Sequence, residues 1–440
     1  MRITFKAALL PEGLKSQVTF EVDQGLIQSI TTNDALPAIE GLAIPGVPNV
    51  HSHAFQRAMA GRAERMGGVN SFWGWRERMY ALVDRLTVDD MSAIAAMAYA
   101  EMLMAGYTAV GEFHYFHQPN GSAALATAQA MRAAARQAGI RQCLLPTLYQ
   151  RGGFDGRPLS SAQARFYLST EAYTDLVAAL CDASSATCTT GIALHSLRAV
   201  DLGALRRVVE AQPGLPIHIH ISEQRLEVEE CVALHHKTPI DCLLDTGLVN
   251  DRWCLVHATH ATEAELVRLA PTHAVVGYCV TTEANLGDGF FDFKRWQQLG
   301  GRYAVGSDSQ VSIDPAEELR WMEYQRRLID QRRPSTGWEA GTHTGSALLA
   351  ASVQGGQQAL GLPALAVGAP FDVVLLGHPS VAPGDGHSVL DQWVFAPRPQ
   401  MVEAVWVHGQ QVVAGGRHVD YPAIAARYRH VIEQRLGERP

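Results

Sequence analysis

The string Pro45-Gly46-Val47-Pro48-Asn49-Val50-His51-Ser52-His53 carries an apolar, strand-like run over 43–50 directly into two histidines spaced two residues apart. In an extended chain residues i and i+2 face the same side, so both imidazoles can reach one metal ion. The pattern recurs in Pro216-Ile217-His218-Ile219-His220-Ile221-Ser222-Glu223. Two more apolar runs end on residues with chemistry, Cys254-Leu255-Val256-His257 and Ala304-Val305-Gly306-Ser307-Asp308-Ser309. Polar groups gathered where short apolar strands end are the layout of a barrel mouth.

Outward from these strings, the alternation of strand and helix extends over residues 45–362. Strands are predicted at 43–50, 107–113, 141–147, 191–197, 216–221, 253–257, 273–278 and 303–306, with Ala-rich helical stretches such as 93–105, 122–138 and 202–211 between them. Eight parallel strands close a barrel, which makes the chain an α/β protein. The ends read differently. Short β-prone runs at 3–5, 18–22 and 26–30, and again at 372–376, 405–409 and 411–416, are punctuated by Pro, Gly and Asn-Asp. They predict one small sheet assembled from residues 1–44 and 363–440, the latter closing on a terminal helix.

Composition narrows the function. At 440 residues with 47% hydrophobic and 18% charged, the chain can bury a large core. Lys+Arg 36 against Asp+Glu 44 gives a net charge of -8, the wrong sign for a nucleic-acid surface. The opening Met1-Arg2-Ile3-Thr4-Phe5-Lys6 has no apolar stretch behind it that reads as an export signal, and no uncharged apolar run is long enough for a membrane span. Seven cysteines without a C-x-x-C pair read as reduced core residues of a cytoplasmic protein.

Three histidines and one carboxylate form an ordinary nitrogen and oxygen site for zinc or ferrous iron. Of the second pair, His220 lies nearer the strand end and is the better ligand, whereas His218 fills a deeper layer. Glu223, three residues on, is close enough to act on a water at the metal; the plainer reading is a helix-start glutamate capped by Ser222. His114, His117, His195 and His260 also lie near strand ends, so spacing alone does not choose the ligands. His260 reads as a loop residue, and His235 and His236 as solvated helix residues.

Taken together, H-x-H after strand one, H-x-x-E after strand five, His after strand six and S-D after strand eight resemble the amidohydrolase superfamily over nearly the whole chain. The resemblance implies a (β/α)8 TIM-like barrel with a small β-sandwich domain formed by both termini. The strings His51-Ser52-His53-Ala54-Phe55-Gln56-Arg57-Ala58-Met59-Ala60-Gly61, Phe72-Trp73-Gly74-Trp75-Arg76-Glu77-Arg78-Met79-Tyr80 and Glu112-Phe113-His114-Tyr115 are similar to members that deiminate a linear amidine. The implied reaction converts N-formimidoyl-L-glutamate to N-formyl-L-glutamate and ammonia in histidine degradation.

The resemblance also implies one divalent metal ion, Zn2+ or in its place Fe2+, on His51, His53, His220 and Asp308. Glu223, His257 and Asp308 are then the catalytic proton-handling groups. Gln56, Arg76, Tyr115, His195 and Arg198 surround a small dicarboxylate substrate, the arginines because a guanidinium grips a carboxylate bidentately. Glu283 and Asn285 shape a far wall outside this set. A homodimer is implied as well. Some relatives bridge two metals through a carbamylated lysine, but the four lysines (Lys6, Lys15, Lys237 and Lys294) all lie outside the fourth strand. Two rival readings are a deaminase of a purine, pyrimidine or adenosine-like ring, and a non-catalytic ligand-binding member.

Overall fold

The computed structural model describes residues 1–32, 36–62, 64, 72–117, 121–335, 341–377 and 386–436, except for the side chains of 72, 73 and 121–123. Eight parallel strands follow one another around a barrel: Val47–Ser52, Tyr107–His114, Arg141–Leu148, Ile192–Leu194, Ile217–Ile221, Trp253–His257, Val275–Tyr278 and Arg302–Val305. Every position of the second, third, fifth and sixth is buried, because helices cover the outside while side chains fill the inside. The helix Val88–Ala105 shows how sharply its ends are set. Thr87 and Asp90 form a reciprocal capping box, and Gly106, at φ 107°, ends it in a left-handed turn that a side chain would resist.

The first and eighth strands meet without an extended ladder. One parallel bridge joins Ser52 to Asp308, with the His53 N–H donating to the Asp308 carbonyl and the Asp308 N–H to the His51 carbonyl, both at 3.0 Å. Asn49 reinforces this seam from one turn below: its Nδ2 donates to Ser307 Oγ at 2.7 Å and its Oδ1 accepts from the Ser307 N–H at 3.1 Å. Outside the barrel, the helix Thr344–Leu360 lies across both strands. It comes so close that a Cβ on Gly355 would stand 2.0 Å from the Tyr303 carbonyl oxygen, and one on Gly356 2.8 Å from Pro48.

The termini build a second sheet of eight strands, ordered Arg417–His418, Gln410–Ala414, Val402–Val407, Val373–Leu376, Ile39–Pro45, Arg2–Leu10, Gly13–Asp23 and Leu26–Thr32. Phe5 and Trp406 stand on strands separated by two others, yet their rings are 5.7 Å apart. The sheet therefore folds over on itself and packs as a sandwich around Phe5, Phe20, Phe371 and Trp406. The terminal helix Tyr421–Leu436 reaches back to the barrel, where Arg435 pairs with Asp90 at 2.8 Å.

Three local expectations are corrected. The run over 43–50 is two strands, because the chain leaves the terminal sheet after Pro45 and enters the barrel at Val47. Gly46 makes the crossing where a Cβ would meet Thr108 Oγ1 at 2.0 Å. The fourth strand spans only Ile192–Leu194, and Cys188–Thr190 pairs separately on the third. Ser222 caps nothing: it sits at φ 50°, and the helix begins at Arg225 with Gln224 as its cap.

At the seam, a Cβ on Gly306 would lie 2.9 Å from His51 Cβ and 3.0 Å from both the His51 carbonyl oxygen and Cys279 Sγ. Gly306→Ala should cost about 1–3 kcal/mol in denaturant unfolding. Gly214→Ala, with nothing within 4 Å of its Cβ, should stay within about 0.5 kcal/mol. Equal stabilities for the two variants would show that the seam tolerates a methyl group.

Candidate active site

The strand ends bring His51, His53 and Asp308 together, and His220, with His257, meets His51 from the other side. His51 Nε2 lies 3.1 Å from His53 Nε2 and 3.0 Å from His220 Nε2, and Asp308 Oδ1 lies 3.4 Å from both His51 Nε2 and His53 Nε2. Hydrogen bonding fixes which nitrogens are bare. His53 Nδ1 faces the Phe113 carbonyl at 2.9 Å, and His220 Nδ1 faces the His195 carbonyl at 3.0 Å. A carbonyl only accepts, so each Nδ1 carries the proton and each Nε2 keeps its lone pair. Both lone pairs point at His51 Nε2, which could donate to one of them at most.

Burial lowers all three imidazoles, His51 to about 3, and so holds them neutral. Burial opposes the charge of Asp308, but its hydrogen bond to His51 and the neighbouring His257 and His53 hold its carboxyl well below the usual range. Converging neutral nitrogens beside an ionised carboxylate are the donor set of a divalent cation. His218 takes no part, reaching instead to the Ala359 carbonyl at 2.9 Å.

His257 closes the sixth strand at φ 71°, a left-handed conformation that also holds Asp308 at φ 44°. Its Nδ1 is 3.2 Å from Glu283 Oε1, and its Nε2 faces Glu223 Oε1 at 3.8 Å and Asp308 Oδ2 at 3.7 Å. Burial disfavours the imidazolium, but these carboxylates outweigh it and push His257 up to about 10. Burial raises Glu223. Glu283, placed on the far wall by the sequence and left out of the site, is thus the group that orients His257. Asn285 instead pairs with Glu64 at the surface, 2.8 Å away, and Leu286 lines the cleft.

Above the cluster opens a cleft bordered by Gln56, Arg76, Tyr115, His195, Arg198 and Glu223. Gln56 Nε2 donates to the Tyr115 hydroxyl at 3.0 Å, and His195 Nδ1 meets Ser196 Oγ at 3.1 Å. Burial lowers Arg76, and the nearby Arg198 lowers it further. Two guanidiniums that repel one another in a buried cleft form a ready anion site. Tyr80 and Tyr149 also border the cleft, and Glu227 lies behind Glu223; none of the three was singled out from the sequence. The signal for Tyr149 was its place one residue beyond the third strand; for Glu227 it was the i+4 spacing from Glu223, whose N–H it accepts at 3.1 Å.

The profile of the Amidohydrolase family matches residues 42–412, and the chain belongs to that family. It is 43% identical to the formimidoylglutamate deiminase of Pseudomonas aeruginosa over 98% of each chain. It is 26% identical to the 5-methylthioadenosine/S-adenosylhomocysteine deaminase of Moorella thermoacetica, covering 89% of this chain and 86% of the other. Among solved structures, an amidohydrolase from Brucella melitensis superposes with a TM-score of 0.94 at 38% identity over 99% of both chains. An adenosine deaminase from Xanthomonas campestris with bound zinc shares the fold at a TM-score of 0.82 and 22% identity, over 99% of this chain and 98% of that one.

The converging donors predict one divalent ion per chain by elemental analysis, falling to a small fraction in His53→Ala and His220→Ala. Removing the ion with a chelator should abolish activity, and returning it should restore activity. Two tightly held ions per active chain would contradict a single centre.

Proposed function

We propose that this amidohydrolase converts N-formimidoyl-L-glutamate to N-formyl-L-glutamate and ammonia, using Zn2+, or Fe2+ in its place, held by His51, His53, His220 and Asp308. The observation that carries the reading is the pair of guanidiniums, half-buried Arg76 and buried Arg198, in the same cleft as the converging ligands. A dicarboxylate offers such a pair charge-assisted, bidentate contacts, whereas a purine or pyrimidine ring carries no carboxylate for a guanidinium to grip. The 43% identity to a deiminase acting on formimidoylglutamate supports the same choice. The proposal extends to a homodimer in a reducing, cytoplasmic setting, in keeping with seven free cysteines.

When bound, a divalent cation supplies Lewis acidity that makes hydroxide accessible near neutral pH. The chain's own groups do the rest. The formimidoyl amidine is protonated near neutral pH, so its carbon is electrophilic without further activation. Arg76 and Arg198, with Gln56, Tyr115 and His195, fix the dicarboxylate so that this carbon faces Asp308 and His257. A bond forms between the water oxygen and that carbon while Asp308 and His257 Nε2 hold the nucleophile in line. Glu223 accepts the water's proton and returns it to the terminal nitrogen. The bond from carbon to that nitrogen then breaks, ammonia leaves, the remaining hydroxyl proton passes to Asp308, and the formyl group remains on glutamate.

Ammonia release from N-formimidoyl-L-glutamate, with the product identified by mass, tests the reaction. Glu223→Gln should keep its metal and lose about 10²-fold or more in turnover; a metal-free variant would make Glu223 a ligand instead. Arg76→Met and Arg198→Met should each cost on the order of 2–5 kcal/mol in kcat/KM. That loss should shrink for a substrate monoamide lacking the matching carboxylate. Losses that stay the same for every monoamide would mean that the arginines do not read the carboxylates.

A further inference from the structure

Tyr149 borders the cleft beside Arg76, Arg198 and His195. Its ring lies 4.3 Å from that of His195 and 5.7 Å from that of Phe166, and the residue is only 3% exposed. Gln163 Nε2 stands 2.8 Å from its hydroxyl oxygen. Which end of that amide faces Tyr149 is decided by the other end: Gln163 Oε1 accepts from both the N–H and the hydroxyl of Ser160, each at 3.0 Å. This is the reciprocal half of a capping box at the short turn Ser161–Phe166. Turning the amide over would set its NH2 group against the Ser160 N–H, donor against donor.

Gln163 is therefore the donor, the Tyr149 oxygen is the acceptor, and the phenol must direct its own hydrogen elsewhere. Among the described residues no hydrogen bond takes it up. Of the charged groups lining the cleft, Glu223 and Asp308 face His257, and the two beside Tyr149, Arg76 and Arg198, are donors only. Three donors around one buried space, with no acceptor among them, match the oxygens of a carboxylate. We propose that Tyr149 donates a hydrogen bond to the substrate carboxylate held by Arg76 and Arg198, and that Gln163 is the positioning residue that aims this donor. The inference rests on the dicarboxylate reading above and adds to it a specificity-determining hydroxyl whose direction is set outside the cleft.

Two variants test it in the full-length metalloenzyme. Tyr149→Phe keeps the ring packing and removes the donor, so KM for N-formimidoyl-L-glutamate should rise about 10- to 100-fold with kcat little changed. The rise should largely disappear for one of the two monoamides. Gln163→Glu keeps the acceptor that the capping box needs, but its second oxygen accepts the phenol hydrogen and turns it away from the cleft. KM should rise again, thermal stability should hold, and adding Gln163→Glu to Tyr149→Phe should bring little further loss. Independent, additive losses would make Gln163 merely structural and overturn its positioning role. An active parent whose Tyr149→Phe variant keeps KM within about twofold overturns the hydroxyl's role alone. An inactive parent overturns the dicarboxylate reading and this inference with it.

Discussion

The joint between the first and eighth strands governs the rest of the molecule. Seven neighbouring strand pairs are laddered; the eighth contact, which closes the barrel, rests on two backbone hydrogen bonds at His51, His53 and Asp308. A continuous run of hydrogen bonds backs it: Asn49 to Ser307, Ser307 Oγ to Gln310, Gln310 to Ser52 Oγ, and Ser52 Oγ to the buried Glu112. Glu112 then accepts from the Ala54 N–H at 2.9 Å, which fixes the turn just past His53. A cation held as proposed by His51, His53 and Asp308 would span the seam itself. Closing the barrel and shaping that proposed site would then be one event, with binding free energy there adding to folding free energy.

A chain of net charge -8 holds an anion through a local arrangement rather than an overall field. Two of the cations in the cleft, Arg198 and His257, have a buried carboxylate behind them. Burial opposes the charge of Arg198, but Glu227 and then Tyr149 and Glu223 raise it, while Glu283 stands behind His257. Burial pushes Glu227 itself up to about 7. Arg198 and His257 thereby keep their charge within a low-dielectric space.

Period and strand-end position made the barrel legible. Ile217-His218-Ile219-His220-Ile221 reads as a buried strand because apolar residues alternate with inward histidines, and the structure spans Ile217–Ile221. The split at Gly46 was hidden because an apolar run looks the same whether it serves one sheet or two; only the closeness of Thr108 reveals the crossing. Strand-end position offered His51, His53, His220 and Asp308 only among other candidates such as His114, His117 and His195, and the family resemblance chose among them. The roles of Glu283 and Tyr149 depend on which neighbour each faces across three-dimensional space, so a place just past the third strand could mark Tyr149 only as a candidate. Glu283 orients His257 from 26 residues away in sequence, and nothing in the local string distinguishes it from a solvated helix glutamate.

The terminal sheet also orders events during synthesis. Its first four strands, Arg2–Leu10 to Ile39–Pro45, are contiguous in the chain, but the next neighbour of Ile39–Pro45 is Val373–Leu376. At about 5–20 residues per second, the roughly 330 residues between them take about 15–65 s to emerge. Through that interval the nascent meander shows the ribosome's surroundings an unpaired strand edge, the kind of surface that recruits wrong partners. Glu40, paired with Lys6 at 2.7 Å, and Pro45 place a charge and a proline on that strand. They are suited to keeping it solitary until the whole barrel has been made and the chain returns to cover it.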